Sequence, residues 1–456
     1  MKIIFSLEFL CGPNAVVCGI SKTYHLYIEQ LYKKGWDIII FSCFDEHKII
    51  SYFLSKNIIV NAYKLSSVNF LWNPNKLLDD NISNQQRYYC CKNTIYDHYT
   101  IFKALKNEKP DIIHCVLDLP STSIISLHAT LLNIPIVSVL HCNIDLLFLK
   151  PANLLCFRMV YNYLHKMISH THDSIATRST SFLNHMLTSY NWKFDKVIRP
   201  HVNHNIFKIN NNYDYLVNIN KLRKELSFNN DDAILYLYIG RVDIDKDINT
   251  LVDLLKCYPQ CYLVIIGGGT LSNYFYRLHG RENRIYSIPY FLCHNDILKY
   301  YHAVDYHISA SQIETLGNTA IESISSGTPV IAPKTRGFID TIKDKQSGLL
   351  WEPNNLKHAN EIIQQSFLEI SNLKNTIKEN YSDEFNFNYT IEDLNDWYTN
   401  VISNKKSILE KMPFLIFLFI AMGFINIICF IFHFLNAVNF RKKFNIAQLT
   451  DIKLHV

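Results

Sequence analysis

Residues 309–331 read SASQIETLGNTAIESISSGTPVI, and this stretch decides the fold. The apolar run 305–310 leads into it and predicts a buried strand, because short apolar runs between turn signals are typical of such strands. A helix then begins near residue 316, and a Gly-Thr-Pro turn at 327–329 ends it before the next apolar run. Strand, helix and strand in this order predict one unit of a parallel sheet, whose ligands bind at the carboxyl ends of the strands.

The start of this helix predicts an anion site. Leu316, Gly317 and Asn318 would present backbone N–H groups that have no partner within the helix, and the helix dipole favours negative charge there. Glu314 lies in the loop before the helix, and Glu322 lies about two turns into it, within reach of ribose hydroxyls. Two glutamates at this spacing also occur by chance, so the strand and helix around them carry the interpretation.

The same alternation extends outward over the chain and predicts two doubly wound α/β domains that face each other across a cleft. The first domain spans 1–207, the second spans 232–403, and the polar, Asn-rich stretch 208–231 joins them. The predicted strands of the two domains are 2–7, 36–42, 111–116 and 135–140, and then 233–239, 261–266, 284–288, 305–310 and 329–332.

Two loops of the second domain follow predicted strands. Residues 240–246 read GRVDIDK, and Arg241 and Lys246 could together clamp a diphosphate. A surface turn with solvated charges is the alternative, and the Asp-x-Asp within the loop resembles a metal motif only by coincidence in our interpretation. Gly267 opens a run of three glycines that allows either a tight turn or a close approach of the backbone to a nucleotide.

The composition excludes several classes of protein. The 456 residues are 48% hydrophobic and 19% charged, which excludes a disordered chain. The net charge of +5 is spread along the chain without a dense basic run, so we expect no nucleic-acid partner. The twelve cysteines form no Cys-x2-Cys pair, and we expect neither a zinc site nor any other metal or cofactor.

One segment differs from the rest. Residues 412–440 contain no charged side chain, and 414–435 alone is long and apolar enough to cross a bilayer. We therefore predict one C-terminal transmembrane helix followed by a short tail, 441–456. At the other end of the chain, the apolar run 1–10 is short and contains Glu8, so we interpret it as a strand rather than a signal peptide. We expect the two domains to face the cytosol from the endoplasmic reticulum or another endomembrane, although lysines and arginines flank the predicted helix almost equally.

With these motifs in place, residues 1–403 resemble a retaining glycosyltransferase of the GT-B fold, in glycosyltransferase family 4. The Glu-x7-Glu segment followed by SSGTPVIA, and the GRVDIDK loop before it, carry the resemblance. It implies that Arg241 and Lys246 hold the diphosphate of a nucleotide sugar, with Gly267 at a turn beside the nucleotide. It further implies that Glu314 binds hydroxyls of the donor sugar and Glu322 those of the ribose, while the N–H groups of residues 316–318 contact phosphate oxygens.

The resemblance also assigns two residues of the first domain. His141, at the end of the PIVSVL run, matches the family's active-site histidine, which lines the sugar near the reacting carbon. Gly19 matches the glycine-rich loop beside the donor phosphates, although Cys18 stands where the family usually has a second glycine. Without the family, a hydrogen-bonded core histidine would be the favoured interpretation of His141.

Within the family, the segments ETLG, ESISSGTPVI and KPDIIH are most similar in sequence to those of sulfoquinovosyltransferases. These enzymes transfer sulfoquinovose from a UDP-sugar to diacylglycerol. The resemblance thus implies a membrane-anchored transferase with a UDP-sugar donor and a lipid acceptor. The C-terminal span instead fits an N-acetylglucosaminyl- or mannosyltransferase that acts on phosphatidylinositol. An epimerase, a phosphorylase, or an inactive subunit of a membrane complex are the alternatives of other classes.

Overall fold

Two parallel β-sheets form the framework of the chain. The computed structural model describes residues 1–7, 19–70, 88–92, 94–116, 120–141, 155–199, 202, 206–208, 212–381 and 385–416. Short apolar runs supply the strands of both sheets, and amphipathic helices cover them. The two doubly wound domains expected from the sequence are confirmed.

The first sheet has seven strands in the order β3-β2-β1-β6-β7-β8-β9, and all neighbours are parallel. Its strands are β1 (Lys2–Ser6), β2 (Asp37–Ser42), β3 (Val60–Lys64), β6 (Ile112–Val116), β7 (Ile136–Leu140), β8 (Ser174–Thr177) and β9 (Lys196–Val197). The helices of this domain are α1 (Gly19–Lys33), α2 (Glu46–Leu54), α3 (Ile95–Glu108), α4 (Pro120–Leu131), α5 (Leu155–Thr171) and α6 (Thr180–Tyr190). A separate antiparallel pair is formed by β4 (Ser67–Phe70) and β5 (Tyr88–Cys91).

The second sheet has six parallel strands in the order β12-β11-β10-β13-β14-β15. They are β10 (Ile234–Ile239), β11 (Cys261–Ile266), β12 (Ile285–Ile288), β13 (Tyr306–Ile308), β14 (Val330–Pro333) and β15 (Gly348–Trp351). The helices that follow the first domain are α7 (Tyr213–Leu226), α8 (Ile248–Leu255), α9 (Ser272–Arg277), α10 (His294–Ala303), α11 (Asn318–Ser325), α12 (Arg336–Thr341), α13 (Leu356–Asn380) and α14 (Phe387–Ser403).

Both faces of each sheet are buried, and this explains why the strands are continuously apolar rather than alternating. In β1, Ile3 and Phe5 pack into one core cluster, whereas Ile4 between them packs into a second cluster on the opposite face. In β10, Leu235 and Tyr236 divide between two clusters in the same way. Successive side chains of a strand point to opposite faces, so helices on both sides of a sheet bury both sets of side chains in its central strands.

The predicted strands all lie within two residues of observed ones, but the sequence prediction missed others. Strands β3, β8, β9 and β15 and the β4–β5 pair were not predicted. Strands β3 and β9 lie at the edges of the first sheet, where exposure of one side weakens the apolar signal. Strand β8, SIAT, carries a serine and a threonine within four residues, so its pattern is not that of an apolar run.

Helix α14 returns from the second domain to the first. Phe387, Leu394 and Trp397 of α14 pack in the same core cluster as β1, β2 and α1. Helix α14 was grouped in sequence with 232–403, and the structure seats it on the first domain. Helix α7 lies in the predicted linker 208–231, and its Ile219 and Leu226 pack in the core of the second domain.

The chain after α14 is docked on the first domain as far as it is described. In residues 404–416, here called the stem, Lys411 Nζ donates to Asp173 Oδ2 at 2.6 Å, and the backbone N–H of Lys406 donates to Asp173 Oδ1 at 2.7 Å. Lys405 Nζ donates to the carbonyl oxygen of Asn133 at 2.9 Å. Asn133 and Asp173 precede β7 and β8, so the stem lies at the amino ends of these strands.

The predicted transmembrane helix falls almost entirely outside the described residues, which include only 412–416 of the predicted 412–440. Across the described ranges, no helix combines the length and the apolar character that a bilayer crossing requires. The transmembrane helix therefore stays a prediction.

Candidate active site

Two loops at the carboxyl ends of the second sheet meet through an ion pair. Lys246 ends a 3-10 turn after β10, and its Nζ contacts Glu314 Oε1 in the loop between β13 and α11. Burial acts to raise the pKa of Glu314, but the charges of Lys246 and Arg241 outweigh it, and the pKa lies below its ordinary value. Glu314 is therefore ionised at neutral pH and can accept hydrogen bonds from a ligand.

Arg241 is held in place by two carboxylates of its own loop. Its guanidinium contacts Asp243, and Nη2 donates to Asp245 Oδ2 at 2.9 Å. Asp243 Oδ1 also accepts from the backbone N–H of Thr270 at 2.7 Å and from its hydroxyl at 2.8 Å. Asp243 thus ties the loop after β10 to the glycine loop after β11.

Gly267 lies where these two loops touch. Its φ is +152°, and a Cβ built on it would lie 1.8 Å from the carbonyl oxygen of Gly240. No side chain fits there without moving the backbone of the neighbouring loop. The close contact of Gly267 in this structure is with the backbone of Gly240, and the approach of a nucleotide to it stays a prediction.

The start of α11 presents backbone N–H groups that have no acceptor among the described residues. Gly317 is its N-cap residue in the left-handed conformation, with φ +83°, and no side chain caps the helix. Within the described part of the chain, the N–H groups of Leu316, Gly317 and Asn318 donate to no protein acceptor. Such a helix start favours an anion, because the unpaired donors and the helix dipole point the same way.

Glu322 lies on α11 and is 9% exposed. Its Oε2 accepts a hydrogen bond from the hydroxyl of Tyr301 on α10 at 3.0 Å. This hydrogen bond holds the Glu322 carboxylate on the side of α11, beyond the first turn of the helix. This position suits recognition of a diol, because a carboxylate can accept from two hydroxyl groups.

The two candidate residues of the first domain lie on its central strands and helix. His141 follows β7, is 5% exposed, and its Nε2 lies 2.8 Å from the Tyr24 hydroxyl. Burial, together with the charge of Arg178, holds the pKa of His141 well below its usual range, so the ring is neutral. Gly19 is the first residue of α1, and the rest of the loop before it, residues 8–18, lies outside the described residues.

Arg178 is a candidate residue that sequence reasoning missed. It follows β8 in the first domain, is 5% exposed, and donates from Nη2 to Asn318 Oδ1 at 3.0 Å. The hydroxyl of Ser179 beside it donates to the carbonyl oxygen of Thr315 at 2.7 Å. The first domain thus reaches the start of α11 with a buried cation, and recognition of β8 would have placed Arg178 at a strand's carboxyl end.

Among the hydrogen bonds of the described residues, Lys246 and Glu314 are the predicted site residues in direct contact, and His141 and Glu322 bond instead to Tyr24 and Tyr301. Arg241, Lys246, Gly267 and Glu314 lie in linked loops, and Arg178 connects the first domain to Asn318. Among the described residues, no group of three or more His, Cys, Asp or Glu side chains is arranged to hold a metal ion. The roles inferred for these residues from the family resemblance stay predictions.

Comparison with protein families gives a match over the second domain. Residues 218–383 match the family described as glycosyl transferases group 1. This segment contains all six strands of the second sheet and every candidate residue of the second domain.

Two similar curated proteins are named as a glycolipid synthase and as a sugar transferase. The chain is 26% identical over 276 residues to an alpha-monoglucosyldiacylglycerol synthase of Streptococcus pneumoniae, a match that covers 58% of this chain and 62% of that protein. It is 25% identical over 140 residues to the sulfoquinovosyl transferase SQD2 of Arabidopsis thaliana, covering 30% of this chain and 27% of that protein. The chain thus spans less than two thirds of the length of either relative.

Solved structures match over nearly the whole framework. A sucrose-phosphate synthase from Thermosynechococcus elongatus superposes with a TM-score of 0.66 at 16% identity, covering 89% of this chain and 100% of that one. Anabaena HepE in complex with UDP-glucose superposes with a TM-score of 0.64 at 17% identity, covering 88% and 100%. At this identity the likeness shows the fold alone. The chain has the two-domain GT-B fold, and its second domain matches the glycosyl transferases group 1 family over residues 218–383.

Proposed function

We propose that the chain is a retaining glycosyltransferase that moves a sugar from a UDP-sugar to a lipid acceptor at a membrane. The observation that carries the proposal is the cluster formed by Lys246, Glu314 and the unpaired N–H groups at the start of α11. It combines a cation, a helix start and a carboxylate at the carboxyl ends of one sheet. A diphosphate and its attached sugar need these three kinds of group.

The departing diphosphate is where negative charge develops as the bond to the anomeric carbon breaks. Lys246, Arg241 and the start of α11 would stabilise this charge, and donors fixed in advance act most effectively. In the donor-free protein Lys246 is paired with Glu314. When a phosphate oxygen takes Lys246, Glu314 becomes available to accept hydroxyl groups of the sugar.

The acceptor oxygen forms its bond to the anomeric carbon on the face from which the diphosphate leaves, and its proton passes to the departing phosphate oxygen. This step needs no covalent intermediate and no metal ion. The first domain would supply the acceptor side of the cleft, where Arg178 and His141 follow β8 and β7. Closure of the two domains would exclude water that could hydrolyse the donor.

The name of the monoglucosyldiacylglycerol synthase supports a glycerolipid acceptor, and the HepE complex supports a UDP-linked donor. Transfer of glucose or of sulfoquinovose to a diacylglycerol lipid agrees with both relatives. The uncharged stretch 412–440 would hold the enzyme at the bilayer in which such an acceptor resides, with the two domains in the cytosol.

A donor and acceptor panel tests the proposal. The full chain in detergent or liposomes is incubated with radiolabelled UDP-glucose, UDP-galactose, UDP-N-acetylglucosamine, UDP-sulfoquinovose or GDP-mannose. Vesicles contain either diacylglycerol or phosphatidylinositol, and the labelled lipid is isolated. We expect a UDP-sugar to label the diacylglycerol vesicles, with an anomeric configuration in the product equal to that of the donor.

Glu314→Gln is the matched inactive control, because it keeps the shape of the side chain but loses its charge. Labelling of phosphatidylinositol instead would reassign the acceptor, and an inverted product would exclude retention. If the chain neither transfers nor hydrolyses any of the donor sugars, it is not an active transferase.

A further inference from the structure

Four buried rings form a hydrogen-bonded chain that ends at His141. The Tyr24 hydroxyl on α1 lies 2.8 Å from His141 Nε2 and 2.7 Å from His114 Nε2 on β6. On its other side, His114 Nδ1 lies 2.6 Å from the hydroxyl of Tyr398 on α14. Tyr24, His114 and Tyr398 are fully buried, so water does not compete for these bonds.

All four rings are uncharged at neutral pH. Burial lowers the pKa of His114 to about 3 and holds the pKa of His141 well below its usual range. Burial also raises the pKa of Tyr24 and of Tyr398 well above the ordinary value. Each ring therefore carries one hydrogen that it can donate, and each histidine has one nitrogen that can only accept.

This count couples the two histidines through Tyr24. The Tyr24 hydroxyl has a single hydrogen, so it donates to one histidine and must accept an N–H from the other. If His141 donates from Nε2, then Tyr24 donates to His114, and His114 carries its hydrogen on Nδ1. If Tyr24 instead donates to His141, then His114 donates from Nε2 and accepts at Nδ1.

The two arrangements differ at their ends. In the first, His114 donates to Tyr398, and the buried Tyr398 hydroxyl then has no acceptor among the described residues. In the second, Tyr398 donates to His114, His114 donates to Tyr24, and Tyr24 donates to His141. Each arrangement leaves one donor without an acceptor among the described residues, the Tyr398 hydroxyl in the first and His141 Nδ1–H in the second. Tyr398 lies in the core of the first domain, whereas His141 follows β7 at the carboxyl end of the sheet, where a ligand can accept its hydrogen, so the second arrangement is favoured.

The second arrangement fixes what His141 offers to a ligand. Its Nε2 accepts from Tyr24, so its hydrogen is on Nδ1, and Nδ1 is buried with no partner in the described part of the chain. We propose that the Tyr398–His114–Tyr24 chain holds His141 as the Nδ1–H tautomer, so that His141 is a hydrogen-bond donor to an oxygen of the bound sugar or acceptor. Only the nature of that ligand rests on the proposed function.

The chain also assigns roles to residues outside the cleft. Tyr24, His114 and Tyr398 are positioning residues, since they act through His141 and not on the substrate. Tyr398 belongs to α14, which follows the second domain and packs on the first. Packing of α14 on the first domain therefore completes the hydrogen-bonded chain. Because Nδ1 of His141 then carries the hydrogen, it cannot act as a general base.

The tautomer is measured directly by NMR of the full chain labelled with 15N at histidine. The His141 ring signals are identified by their loss in His141→Gln. We expect a protonated Nδ1 and an unprotonated Nε2 in the wild type, and a shift towards protonated Nε2 in Tyr24→Phe. The matched control is Tyr27→Phe on the same helix, which keeps the ring that packs against Tyr24 and removes a hydroxyl that takes no part in the hydrogen-bonded chain, so it should leave the tautomer unchanged. A protonated Nε2 in the wild type would overturn the proposal.

Kinetics give a second readout with the same variants. We expect Tyr24→Phe to lower kcat by about tenfold to a hundredfold, as for partners that orient metal-bound histidines, with little change in KM for the donor. His114→Gln keeps one donor and one acceptor and should retain more activity than His114→Leu. Equal losses in these two variants would contradict the positioning role. The tautomer needs no turnover, so an inactive wild type with a protonated Nδ1 would reject the proposed function and leave this inference standing.

Discussion

Lys246 and Glu314 form an ion pair although they lie 68 positions apart in the chain. The pair joins the loop after β10 to the loop before α11, and both side chains are mostly buried. It places a cation and a carboxylate side by side at the carboxyl ends of the strands of the second sheet. A bound diphosphate would compete with Glu314 for Lys246. Lys246 could therefore exchange its contact with the Glu314 carboxylate for one with a phosphate oxygen.

Lys246→Met tests the role of the cation. We expect kcat to fall by about a hundredfold to a thousandfold, because a fixed positive charge next to the departing diphosphate is lost. The measurement is transfer from the donor identified by the panel, with binding of UDP followed separately by calorimetry. UDP affinity should fall as well, since the proposed function places the same charge against the phosphates of the bound donor before transfer.

Lys256→Met is the control for this variant. Lys256 pairs with Asp253 on α8 of the same domain, but both side chains are well exposed. Its loss should leave transfer and UDP binding unchanged. Normal UDP affinity in Lys246→Met would exclude Lys246 from the phosphate site.

Gly267→Ala tests the close contact between the loop after β10 and the loop after β11. The alanine Cβ would collide with the Gly240 carbonyl, so the loops must separate and UDP binding should be lost. Gly280→Ala is a matched control, because Gly280 has φ +154° but an alanine Cβ there would meet no atom within 4 Å. It should cost only the conformational strain, about 1–3 kcal/mol, and keep UDP binding. Equal effects of the two substitutions would show that the collision is relieved without cost.

Lys411→Met tests how firmly the stem is docked. The Lys411–Asp173 pair is almost fully buried, with 3% and 2% of the side chains exposed. Removing one partner leaves a buried charge, and we expect the free energy of unfolding to fall by about 3–5 kcal/mol. Urea unfolding followed by tryptophan fluorescence measures this change.

The exposed Lys334–Glu352 pair supplies the comparison for the stem. Its side chains are 53% and 54% exposed, so Lys334→Met should change the free energy of unfolding by at most about 1 kcal/mol. A similarly small effect of Lys411→Met would mean that the stem detaches readily from the first domain.

Stability should fall as the medium is acidified. Burial lowers the pKa of His165 to about 3, whereas an unfolded histidine titrates near ~6.5. Between these values the unfolded chain binds a proton that the folded chain does not, so the free energy of unfolding falls with falling pH. The contribution is fully present above pH ~6.5 and is lost towards pH 3, at about 1.4 kcal/mol per pH unit.

His165→Gln isolates this contribution. The variant should show a slope of unfolding free energy against pH that is smaller by about 1.4 kcal/mol per unit between pH ~6 and ~4. An unchanged slope in His165→Gln would mean that this ring is protonated in the folded protein.

The sequence predicted the framework because its signals are local. Continuous apolar runs such as 261–266 and 136–140 can be recognised one strand at a time, and turn residues mark where each one ends. The motif at 309–331 also shows its helix start from neighbouring residues alone. Strands with polar side chains, such as β8, were missed, and Arg178 was missed with them.

Only the tertiary structure decided which distant residues meet. The pairing of Lys246 with Glu314, the link from Asp243 to Thr270, and the hydrogen-bonded chain from Tyr398 to His141 join positions that no periodicity relates. Local patterns are fixed by the geometry of one strand or helix, whereas these contacts depend on how the sheets are wound and on α14 returning to the first domain. The sequence alone determined the class of fold and the chemical types at the site, and packing decided their partners and the protonation of His141.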